Sequence, residues 1–403
     1  MTPDETVARR GPQLSTDDLS FFFASHHAAL ASLAREAAAE MEVLEREHGT
    51  THEAARSAIA ALGARGLFQY FAPSGGTIDL RALCLIREAL AWSSGAADSL
   101  FAVQGLGCYP IHAYGTDEQK RRWLAPALEG RSIAAFGLTE PEAGTDVASL
   151  RTTAVSEGDH WRLDGDKVFI SNAPIADHIV IFANANPTAG RKGITAFLVP
   201  RGTPGLTISG QIPMVADHSI GALSLRGCLV PDDHRLGAVG QGFAIAMSTL
   251  DNFRVTVGAA AVGMARRALQ EATRRAVVRH QFSKPIAEQQ QIQGYLADMC
   301  AELDAARLLV LRAALLRDQG SNITQEAAIA KMYATEAAQR IIDRALQIHG
   351  GLGVVRGIAV ERLYREIRAL RIYEGTTEIQ RVVIATRMIQ AERARSTPSE
   401  RRP

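Results

Sequence analysis

The segment IYEGTTEIQ, Ile372 to Gln380, sets one carboxylate, Glu374, between a tyrosine and a glycine, directly after the basic run RLYREIRALR. Two roles fit a glutamate in that setting: a partner for those arginines, or a base held close to something flat that must lose a proton. TEPEAGTD, Thr139 to Asp146, offers small residues and hydroxyls that can approach a flat polar ring, or else a glycine-containing turn with a helix cap. Asp251 and Arg254 lie three apart and share one helix face, the spacing of a surface ion pair. Arg279 reads locally as a solvated helix-end arginine. Metal chemistry finds no support. The 11 histidines show no HExxH or comparable ligand spacing, and the adjacent His26 and His27 would point about 100° apart on a helix. Cys84, Cys108, Cys228 and Cys300 are scattered without CxxC spacing and read as reduced core thiols.

Positioning such residues takes more than one core, and 403 residues suffice for two or three structural units. Hydrophobic residues make up 47% and charged residues 22%, and the net charge of +1 argues against a nucleic-acid or membrane-surface role driven by bulk charge. No apolar run approaches the roughly 20 residues that span a bilayer. The N-terminus, MTPDETVARRGPQLSTDD, lacks an apolar signal core, so the expected location is cytoplasmic. Three textures follow one another. Residues 1–131 carry helical spacing, with Leu30, Leu33, Ala37, Met41 and Leu44 on one stripe ending at Gly49 and Thr116 as a helix cap. Residues 132–237 carry short β-rich runs (HWRL, KVFI, HIVIFANA, GITAFLVP, LTIS, ALSLRGCLV), with Asp164-Gly165 as a hairpin signal. Residues 238–392 are helical again, and 393–403 form a polar tail expected to be disordered. The expectation is a mostly α chain with an inserted, mostly antiparallel β-domain. The seams between such units are where ligands prefer to bind.

FGLTEPEAGTDVASL (Phe136 to Leu150), RHQFSKPIAEQQ (Arg279 to Gln290), QIHGGLG (Gln347 to Gly353) and IYEGTTEIQ, in that order and spacing, resemble the signature segments of the acyl-CoA dehydrogenases across residues 20–390. The resemblance implies an N-terminal α-helical domain, a middle antiparallel β-barrel-like domain and a C-terminal four-helix bundle, assembled as a homotetramer or homodimer. It implies α,β-dehydrogenation of an acyl-CoA thioester to the trans-2-enoyl-CoA by bound FAD, with electron-transfer flavoprotein as acceptor.

By the same resemblance Glu374 is the base, its backbone N–H helps bind the thioester carbonyl, and Gly375 leaves room for the acyl chain. Phe136, Leu138, Thr139, Gly144 and Thr145 line the flavin, Thr145 also near the substrate. Phe169, Ile170 and Ser171 match a flavin-contacting triplet in which the family often has tryptophan at the first position. Arg279, Gln281, Phe282, Gln289 and Gln290 match the segment reaching the FAD of a neighbouring subunit, and Gln347, Ile348, His349, Gly350 and Gly351 the segment meeting its adenosine half. Thr376 and Glu378 match a further FAD contact, although glutamine is common in the second place and a carboxylate beside a pyrophosphate is unfavourable. Asp251 and Arg254 match substrate contacts.

Some members carry the base on the helix containing STLDNFRVTV. Phe253 stands there in this chain and cannot act as one, which favours Glu374. Twelve residues after the base many members carry a CoA-binding arginine. Here Thr386 occupies that place, with Arg387 one step on. Either Arg387 compensates as a substrate contact or the thioester sits on a carrier protein's pantetheine arm. A flavin monooxygenase on the same scaffold typically lacks the glutamate, and a silent scaffold would not need all four segments. Chain-length selection is expected from the helices around Ala89 to Gln104 and Ile245 to Arg254, where the small Ala91, Ser93, Ser94, Gly95, Ala96 and Ala97 either leave room or serve helix packing.

Overall fold

The computed structural model describes residues 14, 16–73 and 77–396, which fall into two compact units divided between Thr249 and Leu250.

Unit 1 opens with helices α1 (Ser25–His48), α2 (His52–Ala64), α3 (Leu80–Ser93) and α4 (Gly95–Tyr114). Leu30, Ala37 and Met41 are buried along the stripe of α1, Leu33 and Leu44 are half-buried at its margin, and Gly49 ends the helix at φ 65°. Side-chain oxygens cap the others: Thr51 accepts from the Ala54 amide, Asp79 from Ala82 and Ser94 from Ala97. Thr116 caps the next segment as expected, in a reciprocal pair with Gln119. That segment runs through α5 (Asp117–Gln119), a π turn (Lys120–Leu124) and α6 (Ala125–Leu128).

Adjacency does not keep His26 and His27 apart: their ring centroids lie 4.0 Å from each other. Both Nε2 atoms reach the Asp79 carboxylate, at 2.8 and 3.1 Å, and the ligand-type atoms of all three residues lie within 4.8 Å. The Ala24 amide donates to His27 Nδ1, which puts the proton of the neutral ring on Nε2. The trio is therefore a hydrogen-bonded clasp between α1 and α3 rather than a ligand set.

The β part of unit 1 contains β1 (Ala134–Gly137), β2 (Thr153–Glu157), β3 (His160–Ser171), β4 (His178–Asn184), β5 (Ile194–Pro200), β6 (Leu206–Ile208), β7 (Ile220–Pro231) and β8 (Arg235–Leu236). Its order is β6-β7-β3-β2-β4-β5-β8, with β1 pairing β4 off this path. The sheet stays open, with β6 and β8 as its ends, so the expected barrel does not form. Nor is it wholly antiparallel, because β1 and β2 both run parallel to β4. Every residue of β4 is buried, as a strand covered on both faces requires.

Asp164-Gly165 is not a hairpin. β3 passes straight through it with a register shift. Gly165 has φ 154°, and a Cβ there would come 2.5 Å from Thr152 Oγ1. The hairpin turn lies earlier, at Gly158-Asp159, between the paired Glu157 and His160. Three cysteines are buried as expected, but Cys300 is exposed; all four are free.

Helix α7 (Gly242–Val278) begins in unit 1 and continues into unit 2. Unit 2 then holds a small hairpin, β9 (His280–Gln281) and β10 (Lys284–Pro285), followed by α8 (Gln290–Asp318), α9 (Thr324–His349), α10 (Ala359–Leu370) and α11 (Thr377–Ser396). The short α10 adds a fifth helix to the four expected, burying Val360, Leu363, Ile367 and Leu370 at the spacing of one helical face. Residues 393–396 of the expected tail are the last turn of α11. The rest of the tail lies outside the described residues. Among the described residues no helix is long and apolar enough to cross a membrane.

Candidate active site

In unit 2 the chain between α10 and α11 makes a tight turn in which Glu374 has φ 54° and Gly375 φ 92°. The left-handed region suits glycine and is strained for glutamate, so something must hold it. Three side chains from three helices do. Arg254 of α7 donates through Nε to the Glu374 carbonyl at 3.2 Å. Lys331 of α9 donates to the Gly375 carbonyl at 2.8 Å, and Gln380 of α11 donates to the same oxygen at 2.9 Å. Glu336 of α9 adds a second tie, accepting from Arg371 Nε at 2.8 Å and from the Thr377 hydroxyl at 2.7 Å. Of the preceding basic run, Arg371 is thus engaged by Glu336, and Arg365 pairs with Glu361 at 2.6 Å.

Asp251 and Arg254 do form the i,i+3 ion pair, at 2.7 Å. Arg254 also binds the turn, so the pair joins the site rather than lying idle on the surface. Phe253 is buried. Thr376 caps α11, its hydroxyl accepting from the Ile379 amide at 3.4 Å. Glu378 is exposed in the first turn of α11, where its own backbone amide and the Thr376 hydroxyl hold its carboxyl below the usual range. Arg387 and Thr386 are exposed further along the same helix.

The other expected cofactor residues of unit 2 form two groups. Phe282 and Ser283 turn the β9–β10 hairpin with φ 53° and 65°. This leaves the Phe282 ring 90% exposed, with Arg279, Gln281 and Gln290 also exposed and Gln289 half-buried. At the end of α9, Gln347, Gly350 and Gly351 face outward, whereas the side chains of Ile348 and His349 turn into the interior. His349 Nδ1 lies 2.8 Å from the Ala345 carbonyl, and burial keeps the ring below its ordinary pKa. These two residues offer a ligand their backbone only. Arg275 is near enough to both groups to feel the Arg279 charge and to act on the His349 ring.

In unit 1, two segments some thirty residues apart in sequence come together. Phe136 ends up half-buried on β1 with its ring 4.9 Å from Phe182, followed by buried Leu138, half-buried Thr139 and exposed Gly144 and Thr145. The Thr139 carbonyl accepts from the Val168 amide at 3.0 Å. Below it, Glu140 and Lys167 make a buried ion pair at 2.8 Å. Glu140 also accepts from the amides of Arg151 and Thr152 at 2.5 and 2.9 Å, and Lys167 donates to the Leu138 carbonyl at 3.2 Å. Burial pushes the Lys167 ammonium down to about 8 against the opposing pull of Glu140. Burial acts to raise the Glu140 carboxyl, but Lys167 and the Arg151 amide outweigh it and hold it below the ordinary value. A second register shift in β3, between Lys167 and Ile170, swings Phe169 out at φ 57° and 58% exposure. Bulges re-aim side chains in this way. Ile170 points into the sheet core, so of the triplet Phe169 and Ser171 remain for a ligand.

Lys331, Gln380, Glu140 and Lys167 were not among the expected site residues. A signal existed for the two lysines. Alternation along β3 puts Lys167 on the same face as Trp161 and Leu163, and helical spacing puts Lys331 among Ala327, Ala328 and Ala334. A lysine on an apolar face asks for a buried partner.

The acyl-CoA dehydrogenase N-terminal, middle and C-terminal domain models match residues 24–131, 135–228 and 240–389. The 3-(aryl)acrylate reductase of Clostridium sporogenes is 39% identical over 377 residues, 92% of this chain and 100% of that protein. The short-chain specific acyl-CoA dehydrogenase, mitochondrial, of Rattus norvegicus is 39% identical over 344 residues, 84% of each chain. Among solved structures, butyryl-CoA dehydrogenase from Megasphaera elsdenii has a TM-score of 0.85 at 34% identity, covering 91% of this chain and 99% of that one. With all three domains matched in order, the chain belongs to the acyl-CoA dehydrogenase family.

Proposed function

We propose that this chain dehydrogenates an acyl-CoA thioester across its α,β bond with FAD as cofactor, Glu374 taking the α-proton. The observation that carries this reading is the Glu374-Gly375 turn, held in a left-handed conformation by Arg254, Lys331 and Gln380. Strain stored at a turn bound from three helices is the mark of a carboxylate whose direction matters. A thioester α-proton is weakly acidic, so the base must be aimed before substrate arrives and desolvated once substrate covers it. FAD, when bound, supplies the acceptor for the hydride equivalent leaving the β-carbon. Protonated, the same carboxylate would serve a reductase of the kind named among the relatives.

The residues fit a flavin. Gly144 and Thr145 are exposed, a Cβ at Gly144 would meet nothing within 4 Å, and Phe169 and Phe282 offer uncovered rings. Thr139, Phe169 and Ser171 of unit 1 would hold it, while Arg279, Gln281, Gln347 and Gly350 of unit 2 would reach the flavin of a neighbouring copy. The outward hairpin and α9 terminus support the reading that they complete the cofactor site of a neighbouring copy in a homotetramer or homodimer. Electron-transfer flavoprotein is the acceptor this reading implies, and the cytoplasm its location. The boundaries 131, 237 and 392 stand as the proposed domain limits.

An anaerobic screen of acyl-CoA thioesters against the FAD-loaded protein tests the reading. Bleaching of the flavin by at least one thioester, with an enoyl-CoA product, is the expected result. A protein that takes up no FAD, or takes it up and is bleached by no thioester, contradicts it.

A further inference from the structure

Lys331 does more in this unit than complete a helix. Its side chain is 0% exposed, and its hydrogen bond goes to the Gly375 carbonyl, the peptide next to Glu374. We propose that Lys331 is a positioning residue for the Glu374 base, holding the turn by its hydrogen bond and the carboxylate in its ionised form by its charge. This rests on reading Glu374 as the base.

A buried ammonium needs negative charge beside it. Three carboxylates act on Lys331 favourably: Glu374 from the turn, Glu336 from its own helix and Glu378 from α11, while Arg254 of α7 opposes. Glu374 acts most strongly of the four. Glu336 is already committed to Arg371 and Thr377. Glu378 is exposed and 4.0 Å from Arg381, and Arg254 is itself paired with Asp251. Glu374 is thus the carboxylate whose charge bears most on Lys331. Burial pushes Lys331 down to about 8, with Glu374 pulling the other way. Below about pH 8 Lys331 carries its charge beside the turn; above it the charge disappears.

Lys331→Met, Lys331→Arg and Glu374→Gln in the FAD-loaded protein decide the matter. The Glu374 carboxyl is titrated by difference infrared spectroscopy, its band assigned by its loss in Glu374→Gln, alongside the pH profile of anaerobic flavin reduction. In Lys331→Met the acid-side inflection should move to higher pH, by about one pH unit or more. In Lys331→Arg it should stay near the wild-type position, while the alkaline change near pH 8 disappears because arginine keeps its charge. An unmoved inflection in a folded Lys331→Met, with rates lowered equally at every pH, would leave Lys331 a structural tie and overturn the proposal. If Lys331→Met does not fold, a persistent change near pH 8 in Lys331→Arg overturns it equally. Near-native bleaching by Glu374→Gln would instead remove Glu374 as base, and the infrared titration would still read the pairing.

Discussion

Gly375 shows how much a single residue carries at this site. At φ 92° any side chain is strained, and a Cβ would come 2.6 Å from Gln380 Nε2, the group that binds the Gly375 carbonyl. Gly375→Ala should therefore cost stability by about 1–3 kcal/mol and slow flavin reduction while FAD content is kept. Chemical denaturation and stopped-flow absorbance on the same preparation would check both, and an unchanged reduction rate would mean the turn tolerates displacement. Glu374 stood out through the resemblance of IYEGTTEIQ to a family segment; read alone, that glutamate suited a partner for the arginines before it equally well. Its supports did not stand out. Lys331 lies over forty residues upstream and Gln380 one helical turn downstream, and only folding makes them neighbours of one carbonyl.

At the scale of elements, the Glu140–Lys167 pair fastens the TEPEAGTD loop to β3, and each partner makes stability rise with pH, in a different window. Glu140 has its folded pKa below the unfolded value, so its contribution is present at neutral pH and lost as pH falls through the folded value. Lys167 titrates at about 8 when folded against 10.5. The folded chain thus gives up that proton first, and stability from this group rises between those values. Buried His178, brought down to about 4 from 6.5, adds acid lability as pH falls through that interval. Glu140→Gln should cost about 3–5 kcal/mol at neutral pH by leaving Lys167 buried without its counter-charge, and should flatten the acid side of the stability profile. Urea unfolding across pH 2–10 (a range of about eight units) measures this; an unchanged limb below about pH 4.5 would mean Glu140 carries none of it. The helix–sheet–helix order was legible from texture alone. The two β3 irregularities were not, because Asp-Gly signals a hairpin locally, while here it is the close approach of Thr152 that requires the glycine.

Across the whole molecule, the sequence pattern located the helical stretches and the runs of β3 to β7, but not β1, β2, β8 or the β9–β10 hairpin, and not that the sheet would stay open. That depends on β1 and β2 joining β4 in parallel, a pairing between segments that periodicity leaves unconnected. Nor does one chain account for its own exposed features: Phe282 at the hairpin tip, and Val382, Met388 and Ile389 along α11, stand in solvent. If the hairpin completes a neighbour's cofactor site, FAD binding and assembly are linked by mass action, and Arg279→Ala should lose FAD and loosen the oligomer together. Sedimentation velocity with flavin absorbance would detect this, and a monomer retaining full FAD would contradict it. The central claim is that Glu374 is the base, and its most direct test is anaerobic flavin reduction by a bleaching thioester in Glu374→Gln. The substitution keeps the shape of the side chain and removes the basic oxygen. FAD content and the spectral shift on thioester binding should survive, while the reduction rate falls by about 100- to 10,000-fold. A Glu374→Gln protein that bleaches at a near-native rate would show that the proton leaves by another route.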